Sequence, residues 1–285
     1  MTPRHACFKC GSGEAQFYSV AGARCPPCFD AHVRDTFRRA VLREGMLQHG
    51  ARVAVAVSGG PASMALLDLV LRFWEREWRG RSSESHQWHF WTLVLHVEVP
   101  SKGGAQTVER LRDLAEGHNL PFASVRQEPP PELLHSMDGS ERRQWWREQV
   151  RLQLTRMALD HNCTVLLVGT TATRAAVMTV VRMGMGEGCQ AKEETRMVTE
   201  WSVRLHGNQV HAEHHGNITV GRPLRELLQR DMVRYARTRP GLELGITHMQ
   251  DMRDTLEGLA ERFLLEMGQG RAATIHSVLG VMDRM

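Results

Sequence analysis

The sequence lacks the long apolar runs that a membrane-spanning helix requires. Its 285 residues contain no stretch of about eighteen consecutive apolar residues, so no membrane partner is expected. The first residues also lack the apolar segment of a secretory signal, which indicates a cytoplasmic protein. A net charge of +4 and a hydrophobic content of 42% are those of an ordinary globular chain, long enough for one large domain and a small appendage.

Cysteine is scarce, and its spacing indicates a metal site. Four of the six cysteines form two C-x-x-C pairs, Cys7 with Cys10 and Cys25 with Cys28. In a reducing compartment such pairs bind metal more often than they form disulfides, and four thiolates suit structural Zn²⁺. The alternative is redox chemistry at the second pair, but no βαβ unit precedes it. We therefore predict a zinc module that the metal stabilises.

One short turn between two apolar segments is the strongest local signal. The run 52–57 predicts a strand buried on both faces, and apolar residues at helical spacing over 64–78 predict a helix. The turn between them lies at the carboxyl end of a strand, where open α/β sheets bind ligands. Its glycines allow a close backbone approach, and the helix dipole favours an anion. The candidate binding residues are Ser58, Gly59, Gly60 and Ser63.

This turn is not a Walker A loop, because no lysine follows the glycines. The spacing S-G-G-x-x-S instead resembles the pyrophosphate loop of the ATP-pyrophosphatase superfamily, whose members adenylate a carbonyl oxygen. The usual form of that loop is S-G-G-x-D-S, and this chain has Ala62 at the acidic position. A carboxylate that could help to hold Mg²⁺ is therefore missing. A glycine turn that merely joins strand to helix is the alternative.

Strands and helices alternate through the middle of the chain. We predict strands at 90–96, 122–125 and 164–168 and helices at 105–118, 141–160 and 175–182. A further helix is predicted to begin at Arg222 and to continue through Tyr235. This alternation predicts an α/β fold with a doubly wound parallel sheet. The loop 169–174 then faces the same crevice as the first loop, and Gly169 and Thr170 join the candidate nucleotide-binding residues. The predicted domains are a zinc module with its connecting helix at 1–45, the α/β domain at 46–240 and C-terminal helices at 241–285.

Two other features have competing interpretations. Residues 184–217 are predicted to be an insertion, in which His211 and His215 either bind metal at helical spacing or belong to a solvated hairpin. Cys163 precedes a core strand and is predicted to be a small buried hydrophobe. Cys189 is predicted to lie in a Gly-rich loop as a free surface thiol, with a sulfur-relay role as the alternative.

Four motifs in a fixed order carry a resemblance to a known family. They are Ser58 to Ser63, Arg142-Arg143 with Leu154 and Ala158, Leu166 to Arg174, and Arg222-Pro223-Leu224-Arg225. Together with the four cysteines, this order resembles the cytoplasmic tRNA 2-thiolation protein 2 family, the second subunit of the cytosolic thiouridylase. The fold that this resemblance implies is the pyrophosphate-loop fold, related to that of the adenine nucleotide alpha hydrolases.

The resemblance implies a function and a set of partners. The family pairs with a catalytic thiolase subunit as a heterodimer, which places sulfur on C2 of the wobble uridine in cytosolic tRNAs for Lys, Glu and Gln. The sulfur comes from a thiocarboxylated ubiquitin-related modifier. We therefore expect the catalytic subunit, tRNA and this modifier as partners.

The departures from the superfamily pattern argue against catalysis by this chain. Active members carry G-H-N-x-D-D at the second loop, whereas residues 169–174 contain neither histidine nor carboxylate. The C-x-x-C that active thiolases carry before the basic helix is also absent. We predict a non-catalytic subunit with no catalytic residue, structural Zn²⁺ and ATP only as a candidate ligand. The alternatives are an adenylating tRNA sulfurtransferase in its own right, or a zinc-ribbon adaptor.

The long helix at 141–160 is the predicted tRNA-binding element. It carries Arg142, Arg143, Arg147 and Arg151, and the last three share one face at i, i+4 and i+8. Such a row can track the phosphates of a tRNA stem, with guanidinium groups acting as forks. One of the two neighbouring tryptophans, at 145 and 146, is expected to pack inward. The alternative is that this face contacts the partner subunit or nearby glutamates.

Overall fold

A computed structural model describes most of the chain. The described residues are 6–11, 13–19, 22–79, 91–100, 104–130, 137–206, 213–239, 241–242, 255–267 and 273–284. Within these ranges, none of the helices has the length and apolar character needed to cross a bilayer.

The described residues form short strands and longer helices in alternation. The strands are β1 Phe17–Ser19, β2 Gly22–Arg24, β3 Arg52–Ala56, β4 Trp91–Glu98, β5 Phe122–Arg126, β6 Val165–Leu167, β7 Val198–His206 and β8 Glu213–Gly221. The helices are α1 Pro26–Arg43, α2 Pro61–Arg79, α3 Gly104–Gly117, α4 Gly139–Asp160, α5 Ala172–Gly184, α6 Gly188–Thr195, α7 Gln229–Arg237, α8 Leu256–Met267 and α9 Ala273–Arg284. Each helix and strand predicted between residues 52 and 182 is present, with ends shifted by a few residues.

The main sheet has the strand order β5-β4-β3-β6-β8-β7. All neighbouring strands run parallel except β7, which pairs antiparallel with β8 at one edge. Chain order therefore reverses between β3 and β6, so the topological switch point lies at the carboxyl ends of these two strands. The predicted doubly wound parallel sheet is confirmed, with one antiparallel edge strand.

The central strand explains why helices cover both faces of the sheet. Val53 and Val55 of β3 pack with α1, α2, α3 and α7 on one face, whereas Ala54 between them packs with α4 on the other. All three are fully buried, as the continuous apolar run predicts. A third apolar cluster joins α5 to α8 and α9.

The N-terminal module is a small antiparallel pair, β1 with β2, followed directly by α1. Phe17 of β1 stacks on Phe29 of α1 with the ring centroids 4.3 Å apart. Helix α1 packs into the main core through its buried side chains Phe29, Val33 and Phe37. The module is thus joined to the sheet domain through its connecting helix.

Two predictions about local structure are wrong. The segment from Arg222 forms turns, and α7 begins only at Gln229. The reason is that Arg222 is buried, and its Nη1 donates to the carbonyl of Arg196 at 2.9 Å and to Oγ1 of Thr199 at 3.0 Å. Cys189 is exposed in the first turn of α6 and not in a loop.

The hairpin prediction for the insertion is confirmed. β7 pairs antiparallel with β8 over nine residue pairs, from Val198 with Gly221 to His206 with Glu213. The backbone at His215 belongs to β8, which excludes the helix that a metal pair with His211 would need. His211 itself lies outside the described residues. The domain limits 1–45, 46–240 and 241–285 remain predictions.

Candidate functional site

The first loop is held in shape by its own hydroxyl groups. Ser63 is buried, and its Oγ donates to the carbonyl of Gly60 at 2.9 Å and accepts from the amide of Ser58 at 3.1 Å. The Oγ of Ser58 lies 3.1 Å from that of Ser63 and accepts from the amide of Gly60 at 3.4 Å. Gly59 has a φ of 83°, which glycine adopts without strain. The structure brings these four predicted residues together, but the Ser63 hydroxyl is engaged within the loop.

His96 of β4 binds the residue that precedes the first loop, and no sequence motif identified this histidine. Its Nδ1 lies 2.7 Å from the carbonyl oxygen of Val57, the residue before the loop. Burial lowers the pKa of His96, so the ring is neutral and Nδ1 donates this hydrogen bond. A histidine within the apolar run of β4 was the available signal.

The second loop is anchored to Gln229, the first residue of α7. Thr171 caps α5, because its Oγ1 accepts from the amide of Arg174 at 3.3 Å, and the same hydroxyl donates to Oε1 of Gln229 at 3.1 Å. The amide of Gln229 in turn donates to Oγ1 of Thr173 at 3.1 Å. Thr170 is half-buried next to this cap. The Thr171 and Thr173 side chains are therefore engaged with groups of the protein itself.

Gly169 is the point at which the two loops touch. A Cβ atom there would lie 3.1 Å from the backbone nitrogen of Ser63 and 3.2 Å from the carbonyl carbon of Ala62. Glycine is needed because these neighbours are backbone atoms that cannot rotate away. The prediction that both loops face one another at the carboxyl ends of β3 and β6 is confirmed.

The four cysteines of the N-terminal module converge on one point. Their Sγ atoms all lie within 4.8 Å of one another, and those of Cys10 and Cys25 are 3.7 Å apart. A tetrahedral zinc site with bonds of about 2.3 Å has edges of about 3.8 Å, so the separation fits a bound metal. Gly13 permits this approach, because a Cβ there would lie 2.7 Å from the Cβ of Cys25.

The crowding of these four sulfur atoms also favours a bound cation. The hydrogen bond to the Cys25 side chain, burial and the other two cysteines raise the pKa of Cys28 to about 12. Four thiolates held this close repel one another, and a divalent metal removes that repulsion. The predicted ligand set of Cys7, Cys10, Cys25 and Cys28 is therefore able to hold a metal.

The arginines of α4 do not form a single open row. Arg142 donates from Nη2 to the carbonyl of Met137 at 3.1 Å, and Arg151 pairs with Glu148 and lies 5.7 Å from the ring centroid of Trp201. Neither tryptophan at 145 or 146 is fully buried, so the expectation of an inward-packed ring is wrong. The rings instead make an edge-to-face pair with centroids 4.9 Å apart.

Arg143 and Arg147 both bind Glu257, near the start of α8. Arg174, at the end of the second loop, donates from Nη2 to the same carboxylate at 2.8 Å. Burial raises the pKa of Glu257, but the charges of the three guanidiniums outweigh burial and lower it, so the carboxylate is ionised. This geometry favours the alternative of contacts with a nearby glutamate, and tRNA binding by α4 remains a prediction. No sequence signal identified Glu257, which is 110 residues from Arg147.

No protein-family model matches this chain. Cytoplasmic tRNA 2-thiolation protein 2 of Drosophila virilis is 22% identical over 303 residues, covering 98% of this chain and 71% of that protein. The Drosophila melanogaster protein of the same name is 21% identical, with 98% and 72% covered. A tRNA(Ile)-lysidine synthase of Symbiobacterium thermophilum is 31% identical over 136 residues, covering 45% of this chain and 26% of that enzyme.

The fold also matches a solved structure. The U34-tRNA thiolase NcsA from Methanococcus maripaludis, solved with its 4Fe-4S cluster, superimposes with a TM-score of 0.73 and covers 100% of this chain and 87% of its own, at 13% identity. The resemblance predicted from the ordered motifs is therefore confirmed. The chain has the fold of the U34-tRNA thiolase NcsA and is similar, over 98% of its length, to cytoplasmic tRNA 2-thiolation protein 2.

Proposed function

We propose that this chain is a non-catalytic subunit of the complex that 2-thiolates the wobble uridine of cytosolic tRNAs for Lys, Glu and Gln. The names and coverage of its relatives support tRNA thiolation. In this proposal the chain binds tRNA and stabilises a catalytic thiolase subunit in the cytoplasm. The sulfur comes from a thiocarboxylated ubiquitin-related modifier.

The observation that carries the non-catalytic role is the composition of the two touching loops. Their backbones meet at Gly169, but neither loop contains a carboxylate or an imidazole. Adenylation with release of pyrophosphate needs charge neutralisation, usually by Mg²⁺, which stabilises the transition state by several kcal/mol. The proposal therefore keeps ATP as a candidate ligand and assigns no turnover to this chain.

The metal in this proposal is structural Zn²⁺, bound by the four cysteines. The closed set of four thiolates suits zinc, and it lies in the N-terminal module, joined to the sheet through α1. The alternative occupant is an iron–sulfur cluster, the group that the NcsA structure contains. Elemental analysis of the purified chain is expected to find about one zinc per chain and no iron.

An apolar face on α8 supports binding of a protein partner. Four large side chains on one face of this short helix are each about half exposed: Leu256, Leu259, Phe263 and Met267. Leu265, equally exposed, lies on the opposite side. Exposed apolar groups at this density are typical of protein interfaces. The proposed occupant is the catalytic subunit. Replacing Leu259 and Phe263 with Glu should abolish co-purification of that subunit and leave the chain folded.

The decisive experiment measures turnover by the isolated chain and by the co-expressed complex. We expect no pyrophosphate release and no thiolated tRNA from the chain alone, and both from the complex. Calorimetric titration with ATP, with and without the partner, then establishes whether the loop binds nucleotide. Steady turnover by the chain alone would instead favour the second candidate, an adenylating tRNA sulfurtransferase in its own right. That candidate is supported by the extent of the NcsA match, which covers 87% of the thiolase.

A further inference from the structure

Glu257 lies in a nest of three guanidinium groups from two helices. Arg143 and Arg147 come from α4, and Arg174 comes from the first turn of α5. The Glu257 side chain is 5% exposed, whereas those of Arg147 and Arg174 are 24% and 30% exposed. Arg147 and Arg174 are therefore partly accessible to solvent, whereas Arg143, at 8% exposed, lies with the carboxylate inside the nest.

The charges of this nest do not balance. Among the described residues, three guanidiniums contact this one carboxylate. Two other acids on neighbouring elements, Glu187 and Glu194, are both bound by Arg182. Partly buried positive charge without a counter-ion is costly, so a surplus of this kind suits a ligand with more negative charge than one carboxylate. The Nε of Arg147 is buried and has no hydrogen-bond partner among the described residues, which leaves a donor for such a ligand.

The position of the nest connects it to the candidate site. Arg174 is the last residue of the loop that begins at Gly169, and its amide is bonded to the cap residue Thr171. Planar guanidinium forks from several elements are the preferred protein groups for phosphate. The two oxygens of a glutamate carboxylate are spaced much like two oxygens of a phosphate. The same guanidinium groups can therefore bind either one.

We propose that Arg143, Arg147 and Arg174 form a phosphate-binding site in which Glu257 is an internal substitute for the ligand. A phosphate group enters from the exposed side and displaces the carboxylate. The group belongs either to an RNA backbone or to a small polyphosphate. The RNA source rests on the proposed function, whereas the site itself does not.

The test uses the full chain with Glu257→Gln, and Glu266→Gln as the matched control. Glu266 is exposed on the same helix, so the control makes the same change of net charge outside the nest. Inorganic pyrophosphate should raise the Tm of E257Q more than that of the wild type or E266Q, because the forks then lack their internal anion. An unmodified tRNA transcript should bind E257Q about tenfold more tightly than E266Q, with a salt dependence steeper by about one unit of slope.

A second pair of variants covers the case in which E257Q does not fold. Arg174→Gln keeps two guanidiniums on Glu257, and Arg156→Gln removes an exposed arginine elsewhere on α4. R174Q should lose the stabilisation by pyrophosphate and bind the transcript more weakly than R156Q does.

The outcomes separate the site from the proposed function. Selective stabilisation of E257Q by pyrophosphate, with no tRNA binding by any variant, would support the site, assign it to a small polyphosphate and contradict the tRNA-binding role. Equal responses of E257Q and E266Q, or of R174Q and R156Q where E257Q does not fold, would overturn the phosphate site whether or not tRNA binds.

Discussion

At the residue scale, the lack of a Cβ atom at Gly169 allows the two loops to touch. Gly169→Ala would place a Cβ 3.1 Å from the backbone nitrogen of Ser63, so the loops must move apart. We expect a loss of about 1–3 kcal/mol in the free energy of unfolding, measured in urea. Gly184→Ala is the control, because a Cβ there meets no atom within 4 Å, and it should be neutral or slightly stabilising. Equal stability of the two variants would show that the loops do not touch in solution.

His96 makes stability depend on pH. Burial lowers its pKa in the folded chain, whereas the unfolded value is about 6.5. The unfolded chain therefore binds the proton more readily, so this contribution to stability is present above about pH 6.5 and is lost as pH falls toward the lowered folded pKa.

Replacing this side chain tests the assignment. His96→Gln can still donate to the carbonyl of Val57 and should flatten the fall in Tm between neutral and acidic pH. His118→Gln, at an exposed position, should retain the full fall. A smaller slope remains in H96Q, because burial also lowers the pKa of His32. A profile for H96Q identical to that of H118Q would contradict the assignment.

At the scale of elements, a polar cluster joins α2 to α7. The Tyr235 hydroxyl donates to Oδ2 of Asp68 at 2.7 Å, and that carboxylate also pairs with Arg72 and Arg239. Tyr235→Phe removes one hydrogen bond from a buried site and should cost about 1–2 kcal/mol of unfolding free energy in urea. Tyr18→Phe, at a half-exposed ring, should cost nothing measurable. Equal values for both variants would mean that the Tyr235 bond contributes no net stability.

The helices and strands could be predicted wherever a local pattern determines them. The run 52–57 and the strand at 164–168 were found because a strand buried on both faces is apolar throughout. The segment at 222–228 was assigned to a helix because its residues permit one. The buried bonds of the Arg222 guanidinium, to residues 196 and 199, override that preference. The association of Glu257 with the second loop was not predictable, because no local pattern spans 110 residues.

At the scale of the whole molecule, a bound metal should stabilise the fold of the N-terminal module only. Metal removal by a chelator should raise hydrogen exchange in residues 6–25, because two three-residue strands cannot fold alone. The exchange of α1 should change little, because Phe29, Val33 and Phe37 belong to the main core.

Two cysteine variants check this expectation. Cys28→Ser should lose the metal and reproduce the exchange pattern of the chelated protein. Cys189→Ser, at an exposed thiol far along the chain, should keep both the metal and the wild-type pattern. Exchange that spreads from the module into β3 after metal loss would contradict the expected independence.

The arrangement of strands limits what sequence can reveal about the site. Alternation of strands and helices predicts a parallel sheet, but the order β5-β4-β3-β6-β8-β7 follows from packing over the whole chain. The two loops could be assigned to one edge because carboxyl ends of parallel strands share an edge. That they touch, through Gly169 and Ser63, depends on β3 and β6 being neighbours.

The contact of the two loops also bears on how such a chain changes over generations. The site at the switch point is built from peptide groups, a glycine contact and the first turns of α2 and α5. Substitutions act on side chains, so an exchange at a position such as 62 alters the groups offered to a ligand and leaves this scaffold in place. The backbone contact between the loops can therefore outlast changes in the chemistry that the loops perform.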